Sequence, residues 1–383
     1  MTPPPTSPPT DTPLPGPVRH LYVHIPFCRH LCPYCGFYKH LPGKLANRAF
    51  VDALLAELTE RLRTVSLDLD TVFFGGGTPS LLSPAHLTRL FEGLRERVDL
   101  SAAREISLEA NPATFDRKKA RLLRDFGVTR VTLGVQSWRP AVLATLGRDH
   151  TPEQAAAAFR TLRDAGFDNL GVDLIFSVPG QSAADWRADL ETTAGLEPEH
   201  VSAYNLTYEE DTAFLSRHLA GELDADEDRD IGHFEMALDF LEARGFRHYE
   251  TSNYARPGRE SLHNQAYWSG ADYLGLGPGA VSTLAGERWR TVADTAEYVR
   301  RVHAGEDVRT EVERLSPADL ALEALAMRLR TAEGAPDPTG LGAGPNRVES
   351  LIQQGWIEKT PENRLILTRA GKPLVDAILA ELV

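Results

Sequence analysis

All three cysteines of this 383-residue chain, Cys28, Cys32 and Cys35, fall within eight residues, in the run HIPFCRHLCPYCGFYKH. Their spacing is C-x3-C-x2-C. Three thiolates are one short of a four-thiolate shell, and the chain has no fourth cysteine to complete one. A [4Fe–4S] cube held this way keeps one iron free of protein thiolate, open to another ligand. The spacing therefore points to chemistry more than to a structural staple. An odd cysteine count without a secretory signal argues against a disulfide framework. Zinc is the rival, because three cysteines and a histidine make a common zinc shell and His24, His30 and His40 lie nearby in sequence. Zinc motifs usually bring two ligand pairs roughly a dozen residues apart, and no second pair is present.

The elements that must position this run alternate. Tyr22 to Pro26 (YVHIP) read as a short apolar strand that Pro26 ends, with the cysteines in a loop broken by Pro33 and loosened by Gly36. Strand-like runs fall at 20–26, 71–75, 105–110, 130–136, 170–176 and 200–207. Helical periodicity falls between and after them, at 47–64, 83–98, 115–126, 151–165, 182–194 and 227–244. Such alternation implies an α/β fold of parallel strands with right-handed crossovers, and six units make a partial, TIM-like (β/α)6 barrel. Ligand groups in barrels collect at the C-terminal ends of the strands. There the sequence places Gly75, Gly76 and Gly77 after TVFF, Glu109 after EISL, Gln136 in GVQS, Arg148 in LGRDH and Asp173 in NLGVDLIFSVPG. Taken singly, each is equally well a turn, solvated or capping residue.

A hydrophobic content of 42% is enough for a sizeable core, and the length suits a large α/β unit with an appendage. No apolar run approaches the roughly 18 residues of a membrane span, so no membrane anchor is expected. A net charge of −13 argues against a general nucleic-acid binder. Free thiolates and an iron–sulfur cluster both need a reducing compartment, so the expected location is cytoplasmic. Residues 1–18 are Pro/Thr-rich and expected to be disordered or extended.

The order of strand, cysteine loop, helix and then GGGTPS (Gly75 to Ser80) resembles the radical S-adenosylmethionine (SAM) superfamily. YVHIPFCRHLCPYC, GGGTPS, EANP, GVQS, GRDH, DLIFSVPGQ, HVSAYNLTYEEDT, HYETSNYARPG and HNQAYW together resemble its oxygen-independent coproporphyrinogen III oxidase group, over nearly everything after the proline-rich start. The resemblance implies a [4Fe–4S] cluster on Cys28, Cys32 and Cys35 whose open iron takes the amino and carboxylate groups of SAM. Reducing the cluster then cleaves the sulfonium to a 5′-deoxyadenosyl radical. By the same resemblance Tyr22 and Tyr34 flank this site, and Gly76, Gly77 and Thr78 hold the methionyl end through backbone donors. Glu109 and Gln136 contact the ribose or nearby polar groups, Arg148 pairs with a carboxylate, and Asp173 completes the polar lining. An electron donor such as a flavodoxin or ferredoxin is implied as a partner.

Within that group the chain departs from coproporphyrinogen dehydrogenases proper. Those carry a fourth cysteine where this chain has Phe37, and a longer N-terminal segment. Both departures match the HemW-like haem chaperone branch, which implies binding of haem and its delivery to haem-requiring acceptor proteins, without established decarboxylase activity. His263-Asn264-Gln265-Ala266-Tyr267-Trp268 fits the HNxxYW run of that branch. It offers an imidazole, an amide, a phenol and a broad aromatic plane for haem, with His263, Asn264, Tyr267 and Trp268 as candidate contacts. A buried aromatic cluster around a hydrogen-bonded histidine is the alternative reading of the same residues. The other two functional readings are a decarboxylase acting on coproporphyrinogen III propionates and a zinc-stabilised binding protein.

The C-terminal part reads as an amphipathic helix (315–330), a Gly/Pro-rich linker (334–345), a helix (346–354), a hairpin (356–368) turning at Pro361-Glu362-Asn363, and a last helix (370–382). This is a small winged-helix-like module. It carries eight basic against ten acidic residues from Glu313 to Val383, which argues against DNA and for a packing or partner-docking role, with the barrel mouth as the expected place. Four units are expected: the tail 1–18, the barrel core 19–245, a cleft-lining extension 246–312 and the module 313–383.

Overall fold

The computed structural model describes residues 16–43, 47–338 and 345–382. The Pro/Thr-rich tail as far as residue 15, and residues 339–344 of the expected linker, lie outside the described residues.

Six parallel strands form the centre in chain order: β1 (Val18–Ile25), β2 (Leu67–Gly76), β3 (Glu105–Ala110), β4 (Arg130–Gln136), β5 (Leu170–Phe176) and β6 (His200–Asn205). Helices follow the strands as the alternation requires, among them Asn47–Arg61, Pro84–Arg95, Arg117–Asp125, Pro152–Asp164 and Ala183–Ala194. Alternation along each strand sorts its side chains to two faces. One face is apolar and joins the main core: Leu21, Val23 and Ile25 of β1, Val72 and Phe74 of β2, Ile106 and Leu108 of β3. The other face carries His20, Tyr22 and His24, then Thr71 and Phe73, then Glu105, Ser107 and Glu109. Barrel interiors are commonly filled by branched aliphatic residues. Here the interior is polar, as a ligand-bearing interior needs to be.

The sheet does not stop at the sixth strand. β7 (Arg247–Glu250) and β8 (Asn253–Ala255) add antiparallel pairs beyond β6, and β9 (Leu274–Leu276) pairs parallel to β1 on the opposite edge. The nine strands run β7-β8-β6-β5-β4-β3-β2-β1-β9. Residue 245 is therefore no break in the sheet: the expected extension 246–312 supplies strands to both of its edges. Between β8 and β9 it crosses beneath the barrel, where the strands begin, through the helix Leu262–Ser269.

The C-terminal module has its own core, which includes Leu325, Leu329, Leu351, Ile357, Leu365 and Ile378. It is built from helix Pro317–Leu329, helix Pro345–Gln353, the antiparallel pair Ile357–Lys359 and Arg364–Leu367, and helix Val375–Leu382. Asn363 takes φ +63° at the expected turn. The module does not lie over the mouth. Ala332 donates its backbone N–H to Tyr249 O (3.0 Å), Thr251 Oγ1 bonds Arg330 O (3.4 Å), and Arg328 bonds Ser269 O (3.1 Å). These contacts place it against β7 and the helix Leu262–Ser269, at the opposite end of the barrel. Among the described residues no helix is long and apolar enough to cross a membrane.

Candidate functional site: the mouth of the barrel

The cysteine loop leaves β1 and folds back on itself. Cys28 N–H bonds His40 O and His40 N–H bonds Pro26 O, both at 2.9 Å, closing the loop at its neck. Cys28 is buried, while Cys32 and Cys35 are half-buried. The nearby histidines are occupied or exposed. His24 is buried, with Nδ1 on Tyr22 Oη (3.0 Å) and Nε2 on Tyr38 O (2.8 Å). His40 bonds Leu41 O (2.7 Å) and Thr295 Oγ1 (2.8 Å), and His30 is exposed. Neither His24 nor His40 has a ring nitrogen to spare for a metal. Among the described residues no three His, Cys, Asp or Glu side chains converge as a single bare ion requires. Sulfurs that each take a separate iron of a cube stay further apart than those sharing one zinc at about 2.3 Å. Neither His24 nor His40 is placed to complete a zinc shell around the three thiols.

The glycine run sits against this loop. Gly77 N–H donates to Ile25 O at 2.8 Å, and a Cβ on Gly77 would come within 2.7 Å of Pro26 C and 2.8 Å of Pro26 O. Gly76 has φ +106°, and a Cβ there would enter the His24 ring at 2.5 Å. Only glycine allows both the turn and the approach. Thr78 is buried and points its hydroxyl at Cys28 Sγ (3.7 Å).

Facing the cysteines are the polar residues of the strand ends. Arg148 reaches Cys32 Sγ (3.5 Å) and Gly134 O (2.9 Å), and its buried Nε has no partner. Glu109 accepts from Gly76 N–H (3.2 Å). Burial, with Asp173 adding like-charge repulsion, pushes the Glu109 carboxyl up to about 8. Burial also lifts Asp173 to about 6, against the pull of Ser202, Arg130 and Arg148, and its buried Oδ1 has no hydrogen-bond partner. Glu109 and Asp173 are enclosed by protein yet keep partial solvent exposure, as the lining of a hollow does. Gln136 closes β4 at φ +68°, just past a register shift against β5. A left-handed non-glycine residue at a strand end is the kind of backbone cost found at functional sites. Tyr22 stacks on Phe73 (6.2 Å) deeper in the barrel, and Tyr34 packs beside Phe214 (6.3 Å) at the rim.

The fold therefore gathers Cys28, Cys32, Cys35, Tyr22, Tyr34, Gly76, Gly77, Thr78, Glu109, Gln136, Arg148 and Asp173 at one end of one barrel. The orphaned Arg148 Nε and Asp173 Oδ1 are buried polar atoms still lacking a partner, as a polar ligand with both charges would supply. The donor set fits an iron–sulfur cluster with a zwitterionic ligand beside it.

The HNxxYW residues lie elsewhere. His263 is fully buried at the base of the barrel, with Nδ1 on Thr71 Oγ1 (2.7 Å) and Nε2 on Tyr267 Oη (2.9 Å). Phe73 stacks on its ring at 5.1 Å, and Tyr267 packs on Tyr273 at 4.5 Å. Both ring nitrogens are engaged, so His263 offers iron no free lone pair, and the expectation of His263 as a haem ligand is corrected. It is the hydrogen-bonded histidine of an aromatic cluster. Asn264 supplies its backbone N–H to the Ser261 cap (3.3 Å), and Trp268 alone of the four borders a large cavity. His263→Ala is expected to cost about 3 kcal/mol by orphaning the Thr71 and Tyr267 hydroxyls and opening a cavity. Denaturant unfolding checks this, and an unmoved midpoint would contradict the structural role.

Sequence reasoning missed Glu105. Its buried carboxylate accepts the N–H groups of Leu262 (2.9 Å) and His263 (3.3 Å), anchoring the positive end of the helix Leu262–Ser269 inside the barrel. The available signal was its parity with Ser107 and Glu109 along β3.

Residues 22–193 match the family described as the Radical SAM superfamily. The protein named Heme chaperone HemW from Mycobacterium tuberculosis (strain ATCC 25618 / H37Rv) is 36% identical over 377 residues, covering 97% of this chain and 96% of that one. The protein of the same name from Escherichia coli (strain K12) is 34% identical, covering 95% of this chain and 97% of its own length. Among solved structures, coproporphyrinogen III oxidase (HemN) from Escherichia coli, a radical SAM enzyme, superposes with a TM-score of 0.83 over 97% of this chain and 91% of that chain. At 23% identity that likeness is one of fold. The chain belongs to the HemW family of the radical SAM superfamily. Membership in the superfamily implies a [4Fe–4S] cluster and SAM, which the donor set at the barrel mouth fits.

Proposed function

We propose that this protein is a haem chaperone of the radical SAM type, which binds haem and passes it to acceptor proteins. The observation that carries this reading is the near full-length likeness to proteins named Heme chaperone HemW, together with Phe37 at the position where coproporphyrinogen dehydrogenases carry a fourth cysteine.

In this reading Cys28, Cys32 and Cys35 hold three irons of the cluster. When bound and reduced, the cluster and SAM supply adenosyl-radical chemistry or a redox-sensitive switch. Gly76 and Gly77 leave the methionyl end room to approach, their own N–H groups being engaged by Glu109 and Ile25, Thr78 lies beside them, and Arg148 favours a carboxylate beside Cys32. Glu109 and Gln136 take the ribose or nearby polar groups, and Asp173 balances positive charge. Tyr22 and Tyr34 wall the site and keep water from it. A flavodoxin or ferredoxin supplies electrons.

Serine at Cys28, Cys32 and Cys35 together removes the soft ligands and is expected to leave the protein without cluster absorption or bound iron. Iron and sulfide analysis after anaerobic reconstitution measures this, and wild-type iron content in the triple variant would refute the cluster site. The rival decarboxylase reading is tested by incubating reduced, cluster-loaded protein with SAM and coproporphyrinogen III. Intact substrate is expected; decarboxylated porphyrin coupled to 5′-deoxyadenosine would make the protein a dehydrogenase instead.

A further inference from the structure

A cavity of about 910 Å3 lies at the base of the barrel, between the beginnings of β1 and β2, the strand β7, the helix Leu262–Ser269 and the C-terminal module. That is the upper end of the roughly 300–1,000 Å3 usual for ligand pockets. It lies at the opposite end from the cysteines and shares no lining residue with the site described above.

Its chemistry is specific. Phe246, Tyr249 and Trp268 give it broad aromatic walls. Arg104, Arg247, Arg328 and Arg364 border it, and among the described residues none of the four forms a salt bridge, although Arg104 lies near enough to Asp70 to help hold its carboxyl down. Among the described residues Arg104 and Arg247 make no side-chain hydrogen bond, and Arg328 and Arg364 bond only backbone carbonyls. Elsewhere in the chain Arg19, Arg163, Arg288 and Arg300 each find an acid. Of the acids bordering the cavity, Asp70 is already paired with Arg19 (2.6 Å). Among the described residues Glu242, Glu260 and Glu333 make no salt bridge, and Glu242 and Glu333 are exposed to screening water. Glu250 is 1% exposed, borders the cavity, and its Oε1 has no hydrogen-bond partner. Burial pushes its carboxyl up to about 7, so near neutral pH it carries only part of a negative charge towards the cavity.

His20 also borders the cavity. Its Nδ1 bonds Thr71 Oγ1 (2.9 Å), and its Nε2 makes no hydrogen bond. Thr71 in turn bonds His263, and His263 bonds Tyr267. The chain His20–Thr71–His263–Tyr267 fixes the His20 ring from behind, as outer hydrogen bonds orient histidines that bind metals. Burial keeps the ring in its neutral, ligating form.

We propose that this base cavity is the haem site, with His20 Nε2 as an iron ligand, the aromatic walls on the macrocycle, and the four arginines receiving the propionate carboxylates. His263 is then a positioning residue for His20, which gives the HNxxYW run a role compatible with its burial. The proposal rests on the haem-carrying reading above.

The test is titration of full-length protein with haemin, followed by the Soret band, in wild type, His20→Ala and Arg104→Glu/Arg247→Glu. Protoporphyrin IX, which lacks iron, is titrated in parallel by fluorescence. His20→Ala is expected to shift the Soret band and weaken haemin at least tenfold while leaving protoporphyrin binding nearly unchanged. Arg104→Glu/Arg247→Glu, at exposed positions whose side chains make no hydrogen bond among the described residues, is expected to weaken both ligands by a similar factor. Cluster-loaded and cluster-free protein are expected to bind haemin alike. Wild-type binding that none of these substitutions alters overturns the cavity and leaves the haem-carrying reading standing. Wild-type protein that takes up no haemin overturns both.

Discussion

A Gly77→Ala protein is expected to lose its cluster and its affinity for SAM together. The new Cβ would meet Pro26 C at 2.7 Å, Pro26 O at 2.8 Å and Ile25 O at 2.9 Å, all backbone atoms of the segment that leads into Cys28. No side-chain rotation relieves contacts with backbone. Either the glycine loop retreats and breaks the Gly77 N–H to Ile25 O bond, or the entry to the cysteine loop moves. Overpacking of this kind costs about 1–3 kcal/mol, but the larger consequence is geometric. Cys28 and the glycine run are held in register by this one approach. Gly75→Ala provides the comparison. Its nearest contacts, at 3.0–3.1 Å, are side-chain atoms of Phe73, Glu109 and Tyr22, which can shift by a few tenths of an ångström. It is expected to keep its cluster and lose affinity for SAM only modestly. Iron analysis and SAM titration of the two variants decide the matter, and a Gly77→Ala protein with wild-type iron content and SAM affinity would show that the approach positions nothing.

The six central strands were legible because each alternates. Leu21, Val23 and Ile25 against His20, Tyr22 and His24 is a pattern that only a two-sided strand explains. The same polar face hid part of the site. Glu105 begins its strand and reads as a solvated residue, yet it is buried, because the helix Leu262–Ser269 from a distant part of the chain closes over it. Short strands such as Asn253–Ala255 and Leu274–Leu276 carry too little periodicity to be read; free edges of β6 and β1 recruit them. His263 shows the limit of motif reading. The residue types of the run suit haem, but whether a ring nitrogen is free depends on Thr71, nearly two hundred residues earlier. The C-terminal module was read in its elements and misplaced, since the bonds from Arg330 and Ala332 to the 249–251 segment leave no trace in local sequence.

Affinity for SAM is expected to rise with pH between about 6.5 and 8.5, and Glu109→Gln to abolish most of that rise. In the ligand-free protein the Glu109 carboxyl is held up to about 8, first by burial and then by Asp173, so near neutral pH it is mostly protonated. A cationic ligand, or hydroxyls that donate to it, favours its ionised form, so binding expels a proton. Below about pH 8 each further proton lost by the free protein is one that binding no longer has to remove. The slope can approach tenfold per pH unit and flattens above 8. Asp173, held up to about 6, leaves a smaller slope at lower pH. Glutamine keeps the shape but accepts without charge, which should cost roughly 10- to 100-fold in affinity at pH 8.5 and little at pH 6.5. Stability moves the other way. A carboxyl whose folded value lies above its ordinary 4.5 contributes stability fully below that value and loses it as pH rises through about 8. Glu109→Gln should therefore raise the Tm of ligand-free protein at pH 8.5 and scarcely change it at pH 4.5. Calorimetric titration in two buffers of different ionisation heat measures the expelled proton directly. A wild-type affinity flat across this range, with no proton released at pH 7, would mean that SAM does not engage Glu109.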